Sequence, residues 1–209
     1  IGEHAFKSSG TATSNHGDWN VAIGHSAMTA ITTGDNNIAI GKSALLGNTT
    51  ASNNIAIGIN SMLSITTGQR NVALGSYSMA MNQGTTAVNS DDNCFIGYNS
   101  GGGSWTAAES NQNTAIGAYT MDANLEGALN NVAIGYNALT ALTSGDNNVA
   151  VGKDAGLDLT TGLNNTIVGY QAGANVTTQD EVVLVGRRAG YNINHDDADG
   201  TVAIGYDSG

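Results

Sequence analysis

Asn147-Asn148-Val149-Ala150-Val151-Gly152 recurs with small changes along the chain, as Asn36–Gly41, Asn53–Gly58, Asn130–Gly135 and Asn164–Gly169. The closing glycine of each copy serves as an anchor. The anchors are Gly2, Gly24, Gly41, Gly58, Gly75, Gly97, Gly117, Gly135, Gly152, Gly169, Gly186 and Gly205, separated by 22, 17, 17, 17, 22, 20, 18, 17, 17, 17 and 19 residues. A short fixed period marks a solenoid, in which each repeat buries its apolar surface against its neighbours. The 209 residues therefore read as a single repeat domain, 1–209, with irregular longer coils over 76–116.

Aligned on the anchors, the sequence resolves into columns. Position minus one is aliphatic in every copy, from Ile1 and Ile23 to Val185 and Ile204. Position minus three is mostly Val or Ile, with Cys94, Thr114 and Thr166 as departures. Position minus two is Ala in most copies, replaced by Phe95, Ile167 and Leu184. Period-two alternation of β-branched residues closed by glycine predicts a short strand. Neither face is polar, so both are expected to be covered. The expectation is that the aliphatics fill the coil and the alanines face a neighbouring chain.

Beyond the anchor, plus three is small, and plus four is Leu, Met or Phe except where it is Gly101, Gly156, Gly173, Gly190 or Gly209. Corners follow at Thr32-Thr33-Gly34, Thr66-Thr67-Gly68 and Thr160-Thr161-Gly162. Gly and Asn supply the positive φ that tight corners need. The predicted fold class is all-β: a parallel β-solenoid (β-roll or β-helix) of about eleven coils of 17–22 residues. Stacking at the strand spacing of about 4.8 Å implies aligned Asn, Thr and aliphatic ladders and a rod roughly 50 Å long. A 17-residue coil encloses a thin core, and its second apolar face calls for association of identical chains, expected to be a homotrimer.

Composition narrows the function classes. A net charge of −11 with six Lys plus Arg argues against nucleic acid and anionic membranes as partners. No apolar run approaches the roughly 20 residues of a bilayer span, so membrane insertion is not expected. Cys94, the single cysteine, falls in an apolar column and reads as a buried free thiol. The chain begins and ends in mid-repeat, as a segment of a longer fibre chain would.

No catalytic, cofactor-binding or metal-ligating set emerges. His4, His16, His25 and His195 are scattered, without partners at a recognisable spacing, and no phosphate loop or Cys/His cluster occurs. Asp196-Asp197-Ala198-Asp199-Gly200 has the oxygens of a Ca²⁺ turn but lacks a downstream bidentate Glu, so a solvated turn is expected. The Thr pairs sit at corners, where a structural ladder fits better than a flat ice-binding array. The longer coils carry Gln83–Ser90 and Gly101–Trp105, the places where a loop could bind a partner.

The unit Asn130-Asn131-Val132-Ala133-Ile134-Gly135-Tyr136-Asn137-Ala138-Leu139 and its copies resemble two repeat families. One is the repeat array of phage tail fibres. The other is the head of trimeric autotransporter adhesins, whose unit is shorter than 17 residues. The longer coil with Thr-Thr-Gly corners is closer to the first. The resemblance implies a homotrimeric tail-fibre shaft or receptor-binding region on a virion or extracellular surface, contacting a host cell-surface receptor or glycan. An adhesin head and a carbohydrate-active tailspike are the alternatives. No paired carboxylates of a glycosidase recur, so no enzyme is expected.

Overall fold

In a computed structural model, residues 2–6, 17–80, 89–105, 108–195 and 198–209 are described. Each coil contributes one three-residue strand at positions minus three to minus one. The strands are β1 Val21–Ile23, β2 Ile38–Ile40, β3 Ile55–Ile57, β4 Val72–Leu74, β5 Cys94–Ile96, β6 Thr114–Ile116, β7 Val132–Ile134, β8 Val149–Val151, β9 Thr166–Val168, β10 Val183–Val185 and β11 Val202–Ile204. They form one parallel 11-stranded sheet in chain order. Like pairs with like throughout: Ala133 lies beside Ala150, and Ile134 beside Val151.

The anchor glycines make this stacking possible. Gly152 has φ +139°, and a Cβ there would lie 2.4 Å from the carbonyl oxygen of Gly169 in the next coil. No L side chain fits that approach. Every regular coil also turns through left-handed residues at minus five, plus two and plus four; in one coil these are Asn130, Asn137 and Leu139, with φ +58°, +55° and +50°. Asn suits this conformation, because its short amide bonds locally. The stretch after the anchor is therefore a pair of tight turns. Its amides alternate in direction: Asn137 donates its N–H to Ala118 of the coil before, and Leu139 donates to Ala155 of the coil after.

A buried asparagine column closes the corner before each strand. Asn148 accepts at its Oδ1 the backbone N–H of Asn165 (3.0 Å) and the side-chain amide of Asn165 (2.9 Å). Its own Nδ2 donates to Asn131 Oδ1 (3.0 Å) and to the Gly162 carbonyl (2.8 Å). The pattern repeats from Asn20 to Asn165 and stops at Val182, whose N–H still donates to Asn165 Oδ1. Thr32, Thr49, Thr143 and Thr160 form a second column, each hydroxyl donating to the carbonyl of the Thr in the next coil. Hydroxyls at plus three tie the turns to the sheet: Ser61 and Ser78 donate to the carbonyls of Ala73 and Phe95. The ladders expected from the repeat are thus present.

The two faces of the strand are reversed from expectation. The minus-two side chains point into the coil: Ala39, Ala56, Ala133 and Ala150 are fully buried, as are Phe95, Ile167 and Leu184. The aliphatics at minus three and minus one stand on the outside, partly exposed along the whole sheet. Volume explains the reversal. A coil this small is already filled by a bulky side chain from plus four, Met28, Leu45, Met62, Met79, Met121 or Leu139, and in several coils by an aliphatic from plus seven, Ile31, Ile65, Leu142, Leu159 or Val176, all buried. Ala at minus two is what remains room for.

Candidate functional site

The outer face of β1–β11 is the most distinctive surface of the molecule. It carries two columns of side chains, eleven at minus three and eleven at minus one, and none of them is charged. Eight of these side chains are exposed, from 36% at Val149 to 67% at Ile204, and the rest are half-buried. Ten strand spacings of about 4.8 Å make the strip about 48 Å long. Monomeric proteins rarely leave so long a continuous apolar surface uncovered. Cys94 belongs to this strip on β5, half-buried rather than enclosed, and burial pushes its thiol pKa up, so it is a poor nucleophile.

The ends of the strands differ in charge. At minus six, in the corner leading into the strand, stand Asp18, Asp35, Asp91, Asp146, Asp180 and Asp199. Their carboxylates are part of the coil joint: Oδ1 of Asp35, Asp146 and Asp180 accepts the backbone N–H of Asp18, Leu129 and Leu163, each at 2.7 Å. At plus one, on the far side of the anchor, stand His25, Lys42, Tyr98, Tyr136, Lys153, Tyr170, Arg187 and Tyr206, all exposed. Rings and cations stack there along the rod axis. Tyr98 and Tyr136, with Tyr77 and Tyr119 from plus two, meet edge to face with centroids 5.4–6.0 Å apart. Lys153 then lies 5.8 Å from Tyr136 and 5.7 Å from Tyr170, and Arg187 lies 5.8 Å from Tyr170 and 5.0 Å from Tyr206. Each such contact adds a fraction of a kcal/mol to the stacking of adjacent coils, about 0.5–1 kcal/mol at exposed sites.

Arg70 makes the one bidentate ion pair among the described residues, its Nε and a terminal nitrogen donating to the two oxygens of Asp92 at 2.6 and 2.9 Å. That hydrogen bonding holds Asp92 below the usual carboxylate range. The pair bridges consecutive coils at minus five, on the acidic side of the strip.

The positions singled out in the sequence fall as follows. His4 and His25 come together with ring centroids 5.9 Å apart, at the start of the plus-one and plus-two columns. His195 lies apart, its carbonyl accepting from Ala198 and from the Gln179 side chain. His16, Asp196 and Asp197 lie outside the described residues, while Asp199 Oδ1 accepts the N–H of Asp180 at 2.9 Å. Among the described residues no group of three His, Cys, Asp or Glu is placed to hold a metal ion. Of the two longer coils, residues 83–88 are likewise outside the described set. The Gly101–Trp105 segment turns inward: Trp105 is 4% exposed, meets Phe95 at 5.5 Å, and donates its indole N–H to the Gly101 carbonyl. It is core, not a displayed loop. In the same region burial pushes the Asp122 carboxyl up, against the Asn99 amide that donates to it at 2.9 Å.

Among the described residues no helix is long and apolar enough to cross a membrane. The chain matches no protein-family model, no curated protein and no solved structure.

Proposed function

We propose that the chain is a structural rod, a shaft segment of a homotrimeric fibre of the phage tail-fibre type, carried on a virion. The observation that supports this reading is the uncharged outer strip of β1–β11, partly exposed from one end of the sheet to the other. A lone coil stack in water has no use for 22 aliphatic or small side chains on its outside; chains packed along their strips do. The 17-residue period with Thr-Thr-Gly corners favours the tail-fibre array over the shorter adhesin-head unit. The inward turn of Trp105 favours a shaft over a receptor-contacting tip in the described part of the longer coils.

Native mass spectrometry of the purified segment tests the assembly, with trimers expected and a stable monomer overturning it. Antibody labelling of intact particles under the electron microscope tests the setting. Gold along phage tail fibres is expected; gold on a bacterial surface instead would assign the chain to an adhesin head.

A further inference from the structure

We infer that copies of this chain associate parallel and in register through the outer strip of β1–β11, guided by charges placed at opposite ends of the same strand. The inference rests on the self-association proposed above and adds the surface, the polarity and the level at which the copies meet.

The occupant of the strip is constrained by what the strip offers. Both columns are free of charge in a chain whose net charge is −11. A partner must therefore bring an apolar surface of similar length, and a second copy brings one of identical length. The area suffices. Two columns about 7 Å apart, with side-chain breadth, over about 48 Å give roughly 500 Å² in projection. The plus-one side chains, Ile59, Tyr98, Tyr136, Tyr170 and Tyr206 among them, follow two residues later in the chain and widen the surface toward the roughly 800 Å² per partner of a stable interface.

Charge then selects the polarity. Four of the eleven coils carry a basic residue at plus one: His25, Lys42, Lys153 and Arg187. Each of these four coils also carries an aspartate at minus six: Asp18, Asp35, Asp146 and Asp180 respectively. Acid stands where the chain enters the strand, base where it leaves. In a cyclic assembly whose axis runs along the rod, the exit edge of one copy lies against the entry edge of the next, at the same height. Lys42 then meets Asp35 of the neighbouring copy, Lys153 meets Asp146, and Arg187 meets Asp180. An antiparallel pair instead sets entry against entry, acid against acid, and like charges facing each other are unfavourable.

The chain leaves these groups available. Lys42 and Arg187 make no ion pair within the chain among the described residues, and the one ion pair of Lys153 there is with its neighbour Asp154, at 3.6 Å. Asp35, Asp146 and Asp180 each use Oδ1 on the coil joint, which leaves the other oxygen to face a partner.

The test co-expresses two differently tagged chains and purifies assemblies that carry both tags. One chain is Asp35→Asn, Asp146→Asn, which keeps the oxygen that caps the preceding coil. The other is Lys42→Arg, Lys153→Arg, which keeps the charge but offers no amine. A carbodiimide then joins carboxylate to amine only where the two touch, so any Asp35–Lys42 or Asp146–Lys153 amide must bridge two chains. Both bridged peptides are expected in the digest, and each tagged chain expressed alone should yield neither. Assemblies that form without these bridges, or that join Lys42 to acids of other coils, overturn the parallel register but leave self-association standing. Monomers in the native mass spectrum overturn the self-association itself.

Discussion

A Cβ placed on Gly101 would stand 2.6 Å from the ring of Phe95, because the phenyl group occupies the space that Met28, Met62 and Met121 fill in other coils. The same exchange recurs twice. Leu184 at minus two faces Gly190 at plus four, and Ile167 faces Gly173. Where Ala150 and Gly156 leave that space unfilled, Leu139 and Ile167 lean in from the coils on either side, beside the buried Leu159 of the same coil. The space between positions minus two and plus four holds one large side chain per level, and either wall supplies it.

Replacing Phe95 by Ala should therefore cost about 3–5 kcal/mol, as large-to-small core changes do. The double variant Phe95→Ala, Gly101→Met recreates the arrangement of neighbouring coils and should recover about half of that loss. Gly101→Met alone should be at least as damaging as Phe95→Ala. Left-handed backbone is no obstacle to the methionine, since Met62 and Met121 sit at φ +48° and +46° in the equivalent place. Urea unfolding of the four proteins of this cycle measures the coupling, and additive effects would refute the exchange.

That exchange was written in the sequence as an anticorrelation between two columns: Phe95, Ile167 and Leu184 at minus two coincide with glycine at plus four. It would also have assigned the faces correctly, because only side chains sharing one confined space need to compensate. Alternation alone could not, since Val-Ala-Ile is apolar on both sides and polarity gives no direction. The period, the strand and the anchor were legible because glycine's close approach and asparagine's left-handed turn admit few substitutes. The inward turn of Trp105 was not, because a loop rich in Gly and Ser around one indole reads alike whether the ring lies inside or out. The charge pairing across each strand was visible residue by residue, but acquired meaning only once the strip between the two ends proved to be the outer face.

Asn148→Ala should destabilise the rod by about 3 kcal/mol or more. The substitution removes four hydrogen bonds and leaves the buried N–H of Asn165 and the Gly162 carbonyl without a partner, and each such group costs about 1–3 kcal/mol. Asn165→Ala should follow the same logic with one partner fewer, because the ladder ends at Val182, which has no side-chain amide to donate to Asn165 Oδ1. Thermal unfolding of both variants provides the comparison, and a loss at Asn148 below about 1 kcal/mol would show that the ladder is not continuous.

The anchor glycines should not all tolerate substitution equally. Gly152→Ala drives a Cβ to 2.4 Å from the Gly169 oxygen while holding φ at +139°, so steric overlap adds to backbone strain. About 3 kcal/mol or more is expected from the two effects together. Gly205 has φ +124° but no atom within 4 Å of a built Cβ, so Gly205→Ala should lose only the strain, about 1–3 kcal/mol. Equal losses at the two sites, measured by chemical denaturation, would mean that close approach is not what keeps the column invariant within the chain.

Asp122 supplies a pH dependence. Burial raises its folded pKa above the unfolded value, so the charged form is disfavoured by folding. The sign follows: stability contributed by this group rises as pH falls through the folded pKa, and is lost at neutral pH. Asp122→Asn keeps an oxygen for the Asn99 amide and removes the charge, so it should raise the unfolding midpoint at pH 7 and converge with the parent below the ordinary carboxylate range. A lower midpoint at pH 7 would contradict the assignment of burial as the dominant cause.

The orientation of the strand can be tested within one tripeptide, Val132-Ala133-Ile134. Ala133 is fully buried in the core, so Ala133→Leu overfills a coil that already holds Leu139 and Leu142. A loss of about 1–3 kcal/mol is expected, in the folding of each chain and irrespective of assembly. Ile134 is 38% exposed on the strip. Ile134→Ser should leave the folding of a coil nearly unchanged, within about 0.5–1 kcal/mol, yet weaken association of copies, because it deletes apolar area only at the surface between them. Circular dichroism reads the first effect and sedimentation velocity the second. The opposite pattern, with Ala133→Leu dissociating folded copies and Ile134→Ser unfolding the chain, would return the aliphatics to the interior and the alanines to the outside.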